Sequence, residues 1–62
     1  MNNTDKALLT MIKRSQDMVV SAEQNNYPWI ASEYRTAIHQ LVIAYSMAHD
    51  DMPHDEVLNL VK

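Results

Sequence analysis

Apolar residues recur with helical spacing along two long stretches of the chain. In residues 28–50, one apolar stripe repeats at alternating intervals of four and three positions: Ile30, Tyr34, Ala37, Leu41, Ala44 and Ala48. A second stripe lies beside it: Ala31, Ile38, Val42 and Tyr45. Apolar residues with this spacing and over so wide an arc predict a helix that is buried on several sides. We expect the first stripe, centred on Leu41, to make the main core contact.

The earlier stretch predicts a helix over about residues 5–24. Thr4 is a suitable N-cap, and Asp5 suits the positive end of the helix dipole. The apolar arc of this helix is also wider than one partner helix needs, and it is centred on the following residues: Leu8, Met11, Ile12, Ser15, Val19 and Ala22.

Residues 25–28 predict a tight turn between the two helices. The chain has no glycine, so Asn25 or Asn26 must supply any left-handed conformation that ends the first helix. Tyr27 precedes a proline and is therefore disfavoured in a helix, whereas Pro28 fits the first turn of the next one. Two long helices joined by so short a turn form an antiparallel helical hairpin.

After the long helix, the sequence predicts a short helix over about residues 53–61. Asp50 or Asp51 could cap this helix, and Val57, Leu60 and Val61 give it one apolar side. A helix this short is not stable alone, so we expect it to dock on the hairpin or on a neighbouring chain. The whole prediction is an all-α fold in one small domain, residues 1–62.

Composition indicates that the chain associates with itself. It has 62 residues, of which 47% are hydrophobic, and no cysteine. Chains of this size bury a small core and usually need disulfides, a metal or partner chains for stability. Disulfides are excluded, so we expect a homo-oligomer.

Charge and hydropathy narrow the range of partners. The formal net charge is -3, and the acidic excess lies after residue 49. The chain therefore offers no broad basic surface for direct nucleic-acid binding. No apolar run approaches the length of a membrane span, and the first residues lack a signal-peptide pattern, so we expect a cytoplasmic protein with no membrane partner.

No residue pattern indicates catalysis. No nucleophile stands with a base, and a phosphate-cradling loop needs glycine. We therefore expect no enzyme activity, no cofactor and no metal site. One alternative stays open for the segment from His49 to Glu56, since two histidines among four acids could hold a divalent cation. Helix capping accounts for the same acids without a metal.

Two groups of residues are candidates for ligand or partner binding. Arg35 and His39 lie one turn apart and could bind an anion together with Lys13 and Arg14, although a solvated helix face is the simpler explanation. Tyr27 and Trp29 could anchor a partner protein, because both residue types are enriched at binding hot spots. They could also simply close the end of the hairpin.

Two short segments carry resemblances to known families. Residues 32–41, with Ala44 and Ala48 after them, resemble the second helix of the phage anti-defence sponges, which are oligomeric helical hairpins that sequester cyclic nucleotides. The conserved N-terminal aromatic segment of that family has no counterpart here, so no binding residue is carried over. Asp51-Met52-Pro53 followed by Val57 resembles the haemolysin-expression modulators, but the spacing differs and their conserved terminal aromatic is missing.

These observations favour a small non-catalytic binding or inhibitor protein of the kind that phages and mobile elements carry. It would act by occupying the surface of a partner protein. One alternative is an oligomeric sponge that binds a nucleotide-like anion between chains. Another is a structural adaptor in a larger assembly.

Overall fold

The computed structural model describes residues 2–61 and has three helices, α1 (Asn3–Gln24), α2 (Pro28–Ala48) and α3 (His54–Asn59). α1 packs along α2, and α3 packs against α2. Asp5 meets His49 at one end of the hairpin and Glu23 meets Arg35 at the other, so α1 and α2 run antiparallel. The all-α prediction, with two long helices and a short third one, is confirmed. Across residues 2–61 no helix is both long and apolar enough to cross a bilayer.

The helices differ from the prediction at their ends. α1 starts at Asn3 rather than near Asp5, because the side chain of Asn2 caps it: Asn2 Oδ1 accepts a hydrogen bond of 2.8 Å from the backbone N–H of Asp5. Thr4, expected as the cap, lies inside the helix. The C-terminal end of α2 also differs: this helix ends at Ala48, two residues before the expected boundary at residue 50.

A tight turn joins α2 to α3. Asp50 and Asp51 both have positive φ, 55° and 56°, and the Met52 N–H donates to the His49 carbonyl over 3.2 Å. This is the pattern of a type I′ turn, which aspartate tolerates better than most residues. The expectation that Asp50 or Asp51 caps α3 is therefore wrong: Pro53 occupies the N-cap position, with no side-chain cap bond.

The core is small and includes the third helix. Its buried cluster combines side chains from all three helices and from the residue two positions after α3: Ile12, Val42, Tyr45, Val57 and Val61. Val57 and Val61 dock as the sequence predicts, whereas Leu60, the third member of that stripe, is 47% exposed. The buried hydroxyl of Ser46 donates to the Met52 carbonyl over 2.7 Å and ties the α2–α3 turn to α2.

The rotation of α2 differs from the prediction. The stripe that contains Ala31, Val42 and Tyr45 faces the core, whereas Leu41 and its stripe lie at the side of the hairpin, half-buried or exposed. Met11 and Met18 of α1 are also exposed, at 49% and 42%. We call this partly uncovered set the open flank: Met11, Met18, Ile30, Tyr34, Ala37, Leu41, Ala44 and Ala48.

Candidate functional site

The tip of the hairpin is a rigid backbone motif. Asn26 has the left-handed φ of 62° that the sequence predicted for one of the two asparagines. The Tyr27 N–H donates to the Ala22 carbonyl over 2.8 Å, and the Asn26 N–H donates to the Glu23 carbonyl over 3.2 Å. These two bonds form a Schellman motif, which satisfies the last carbonyls of α1 and sets the direction in which Tyr27 leaves the helix.

Tyr27 and Trp29 form an exposed aromatic pair at this tip. Their ring centroids lie 5.6 Å apart with planes at 76°, an edge-to-face arrangement. Tyr27 is 47% exposed and Trp29 is 62% exposed. Pro28 between them opens α2 at a fixed φ, so both rings project from a constrained backbone. The pair is therefore held in place while much of its apolar surface faces solvent.

An open depression of about 260 Å³ lies beside the aromatic pair, lined by Glu23, Asn26, Pro28, Ala31 and Arg35. Arg35 Nη2 donates to Glu23 Oε2 over 2.6 Å, which links the last turn of α1 to α2. Both side chains are more than half exposed, so this ion pair adds little stability. It does give the lining of the depression both a positive and a negative group.

The four residues considered for an anion site have separate surroundings in the structure. Arg35 pairs with Glu23, and Lys13 pairs with Asp17 over 2.8 Å. The ring of His39 lies 5.9 Å from that of His54 on α3. Arg14 is exposed on α1, about 100° around the helix from Lys13. The two paired cations already face carboxylates, and a shared anion site for the four residues stays a prediction.

The histidine-rich segment is divided between two places. His54 contacts His39, whereas His49 turns towards α1. Within the part of the chain that the structure describes, no three histidine, aspartate or glutamate side chains cluster closely enough to hold a metal ion.

A partly buried polar contact that the sequence did not predict joins the start of α1 to the end of α2. His49 Nε2 donates to Asp5 Oδ1 over 3.0 Å, and the His49 ring stacks on Tyr45 with centroids 4.2 Å apart. Asp5 is 7% exposed, so its carboxylate needs this partner. One signal was available: Asp5 lies seven positions before Ile12 and so on the core side of α1.

Comparison of the chain with protein-family models, with curated proteins and with solved structures finds no match.

Proposed function

We propose that this protein is a small non-catalytic binding protein that inhibits a partner protein by occupying its surface. The observation that carries the proposal is the exposed Tyr27–Trp29 pair on the rigid tip of the hairpin. Self-association of the chain is a second part of the proposal.

The energetics of the pair support a role in binding. Covering large apolar rings that are in contact with water stabilises a complex by about 25 cal/mol per Å² of apolar area buried. The Schellman motif and Pro28 already fix the backbone, so little conformational entropy remains to be lost on binding. Tryptophan and tyrosine are among the residues most enriched at hot spots.

The surroundings of the pair also suit a protein partner. The lining of the depression beside it includes the apolar Pro28 and Ala31 and the ion pair of Glu23 and Arg35. Protein interfaces likewise combine apolar contacts with polar and charged groups. Glu23 neutralises the positive charge of Arg35. The depression is therefore better suited to a protein surface that carries both apolar and charged groups than to a purely anionic ligand.

The proposal is tested by site-specific photo-crosslinking in the native host cell. A photoreactive amino acid with an aromatic side chain, which keeps a large ring at the tip, replaces Trp29 in one variant and Thr10, exposed in the middle of α1, in the control variant. We expect position 29 to crosslink to one protein species and position 10 to crosslink to none. Equal crosslinking from both positions would contradict the proposal.

Competition makes the test specific to the aromatic pair. Added wild-type protein should abolish the crosslink from position 29, and Met47→Ala protein should compete equally well, because Met47 is 71% exposed but lies far from the tip. Trp29→Ala protein should compete at least tenfold more weakly, since a hot-spot truncation costs about 2 kcal/mol or more.

In a parallel arm, an increase in melting temperature with a nucleotide would favour the sponge alternative.

A further inference from the structure

We infer that the open flank is the contact surface for a second copy of this chain, so that two hairpins pair face to face into a four-helix bundle. This inference rests on the self-association part of the proposed function and names the surface. The tip pair is not part of the contact, so the two can fail independently.

The residues of the open flank lie on one side of the hairpin. Successive helical residues are about 100° apart around the axis. Relative to Ile12, which faces α2, Met11 and Met18 are therefore rotated by about −100° and −120° around α1. Leu41 is likewise rotated by about −100° around α2 relative to Val42, which faces α1. Because the helices are antiparallel, equal rotations in this sense point to the same side of the pair. The two methionines and the Leu41 stripe therefore form one continuous surface.

The third helix covers the opposite side. His39 and Ser46 are displaced from Val42 in the other sense, and these residues contact His54 and Met52. α3 thus covers the α2 part of this side, whereas Val20 of α1, nearer the tip on the same side, is 52% exposed. Within residues 2–61, no element covers the open flank. Met11, Met18 and Ile30 of the open flank are 49%, 42% and 36% exposed.

The open flank has the chemistry of a helix contact. On α1 and α2 none of its positions carries a charge, and Arg14 lies only at its edge. Its alanines, at positions 37, 44 and 48, leave room for another helix backbone to approach closely, and methionine adapts to irregular contacts. A surface this apolar on so small a chain usually marks an association site.

Size and charge identify a second copy as the occupant. The molecule measures 37 × 18 × 16 Å, so one long side has a footprint of roughly 650 Å², near the ~800 Å² that each partner buries in a standard interface. A two-fold contact through this side leaves both acidic α3 segments on the outside, about two molecular thicknesses apart. That separation exceeds the Debye length of about 8 Å, so the net charge of -3 on each chain does not oppose pairing.

Mass measurement tests the inference on the chain as it stands. Sedimentation equilibrium at about 50 µM should give twice 7.2 kDa, or about 14.4 kDa, for the wild type. Met18→Glu places a charge in the open flank and should raise the dimer dissociation constant at least 100-fold. The matched control Met47→Glu makes the same change on the outer side of α2 and should leave the mass at the dimer value, as should Trp29→Ala.

Contacts between wild-type chains provide a test that needs no folded variant. In a mixture of isotope-labelled and unlabelled protein, intermolecular NMR contacts should arise from the methyl groups of Met11, Met18 and Leu41. A wild-type mass of 7.2 kDa would overturn the inference together with self-association. Intermolecular contacts confined to Trp29, Met47 or Leu60, or equal dissociation constants for the two glutamate variants, would overturn the choice of surface alone.

Discussion

The contact between Asp5 and His49 closes the end of the hairpin that has no connecting turn. The two side chains are 10% and 30% exposed, and the pair spans 44 positions of sequence. A hydrogen bond in such a setting stabilises more than an exposed ion pair does, because a buried carboxylate without a partner pays its full desolvation cost.

A double-mutant cycle measures this contact. We expect Asp5→Ala, His49→Ala and the double variant to give a coupling free energy of roughly 1–2 kcal/mol in urea unfolding at pH 7. The pair Lys13–Asp17 is the control: its side chains are 55% and 63% exposed, and its coupling should stay below about 0.5 kcal/mol. Equal coupling in the two cycles would mean that Asp5 and His49 are as solvated as the surface pair.

Adjacent asparagines at the hairpin tip provide a second comparison. Asn26 has φ 62°, whereas Asn25 has φ -100° and its side chain donates to the Ser21 carbonyl. Asn26→Gly should raise the free energy of unfolding by about 0.5–1 kcal/mol, because glycine adopts the left-handed region without a Cβ penalty. Asn25→Gly should lower it by a similar amount. Urea midpoints that shift in the same direction for both would contradict the assigned turn.

At the scale of elements, α3 owes its stability to docking. A helix of six residues does not persist alone in water, and this one is held by the burial of Val57 and Val61 and by the turn that Ser46 fixes. The helix is therefore as stable as the contact it makes with α2.

Truncating its main contact should weaken the whole fold. Val57 is 0% exposed, so Val57→Ala should lower the free energy of unfolding by roughly 2 kcal/mol through lost burial and the cavity left behind. Leu60→Ala on the same helix removes a larger side chain that is 47% exposed, and it should cost less than half as much. Chemical unfolding measures both variants. If both lower the free energy of unfolding by the same small amount, α3 is not docked.

At the scale of the whole molecule, the sequence predicted the elements better than their rotation. Turn chemistry narrowed the left-handed position to Asn25 or Asn26 and placed Pro28 at the start of α2, because asparagine and proline have few alternatives there. The rotation of α2 could not be predicted, because this helix is apolar over most of its circumference. The structure buries Ala31, Val42 and Tyr45. It leaves Ile30, Tyr34 and Leu41 of the other stripe partly exposed, so both stripes contain large apolar residues and their size does not decide the rotation.

The candidate site was predictable to a similar extent. The aromatic pair followed from local sequence, since Tyr27 and Trp29 flank the proline that opens α2. The contacts of Arg35 with Glu23 and of His49 with Asp5 did not, because each joins two helices whose relative rotation must be known first. Polar partners across a hairpin depend on that rotation, and the polar pattern of a single helix does not contain it.

The placement of the one tryptophan determines what its fluorescence reports. Trp29 is 62% exposed at the tip, whereas the buried cluster contains Tyr45 and no tryptophan. Indole emission is therefore already close to that of a solvated ring in the folded chain and shifts little on unfolding. A protein that covers the tip should shift the emission to shorter wavelength, whereas pairing through the open flank should leave it unchanged. A single emission spectrum would thus distinguish the two proposed modes of association.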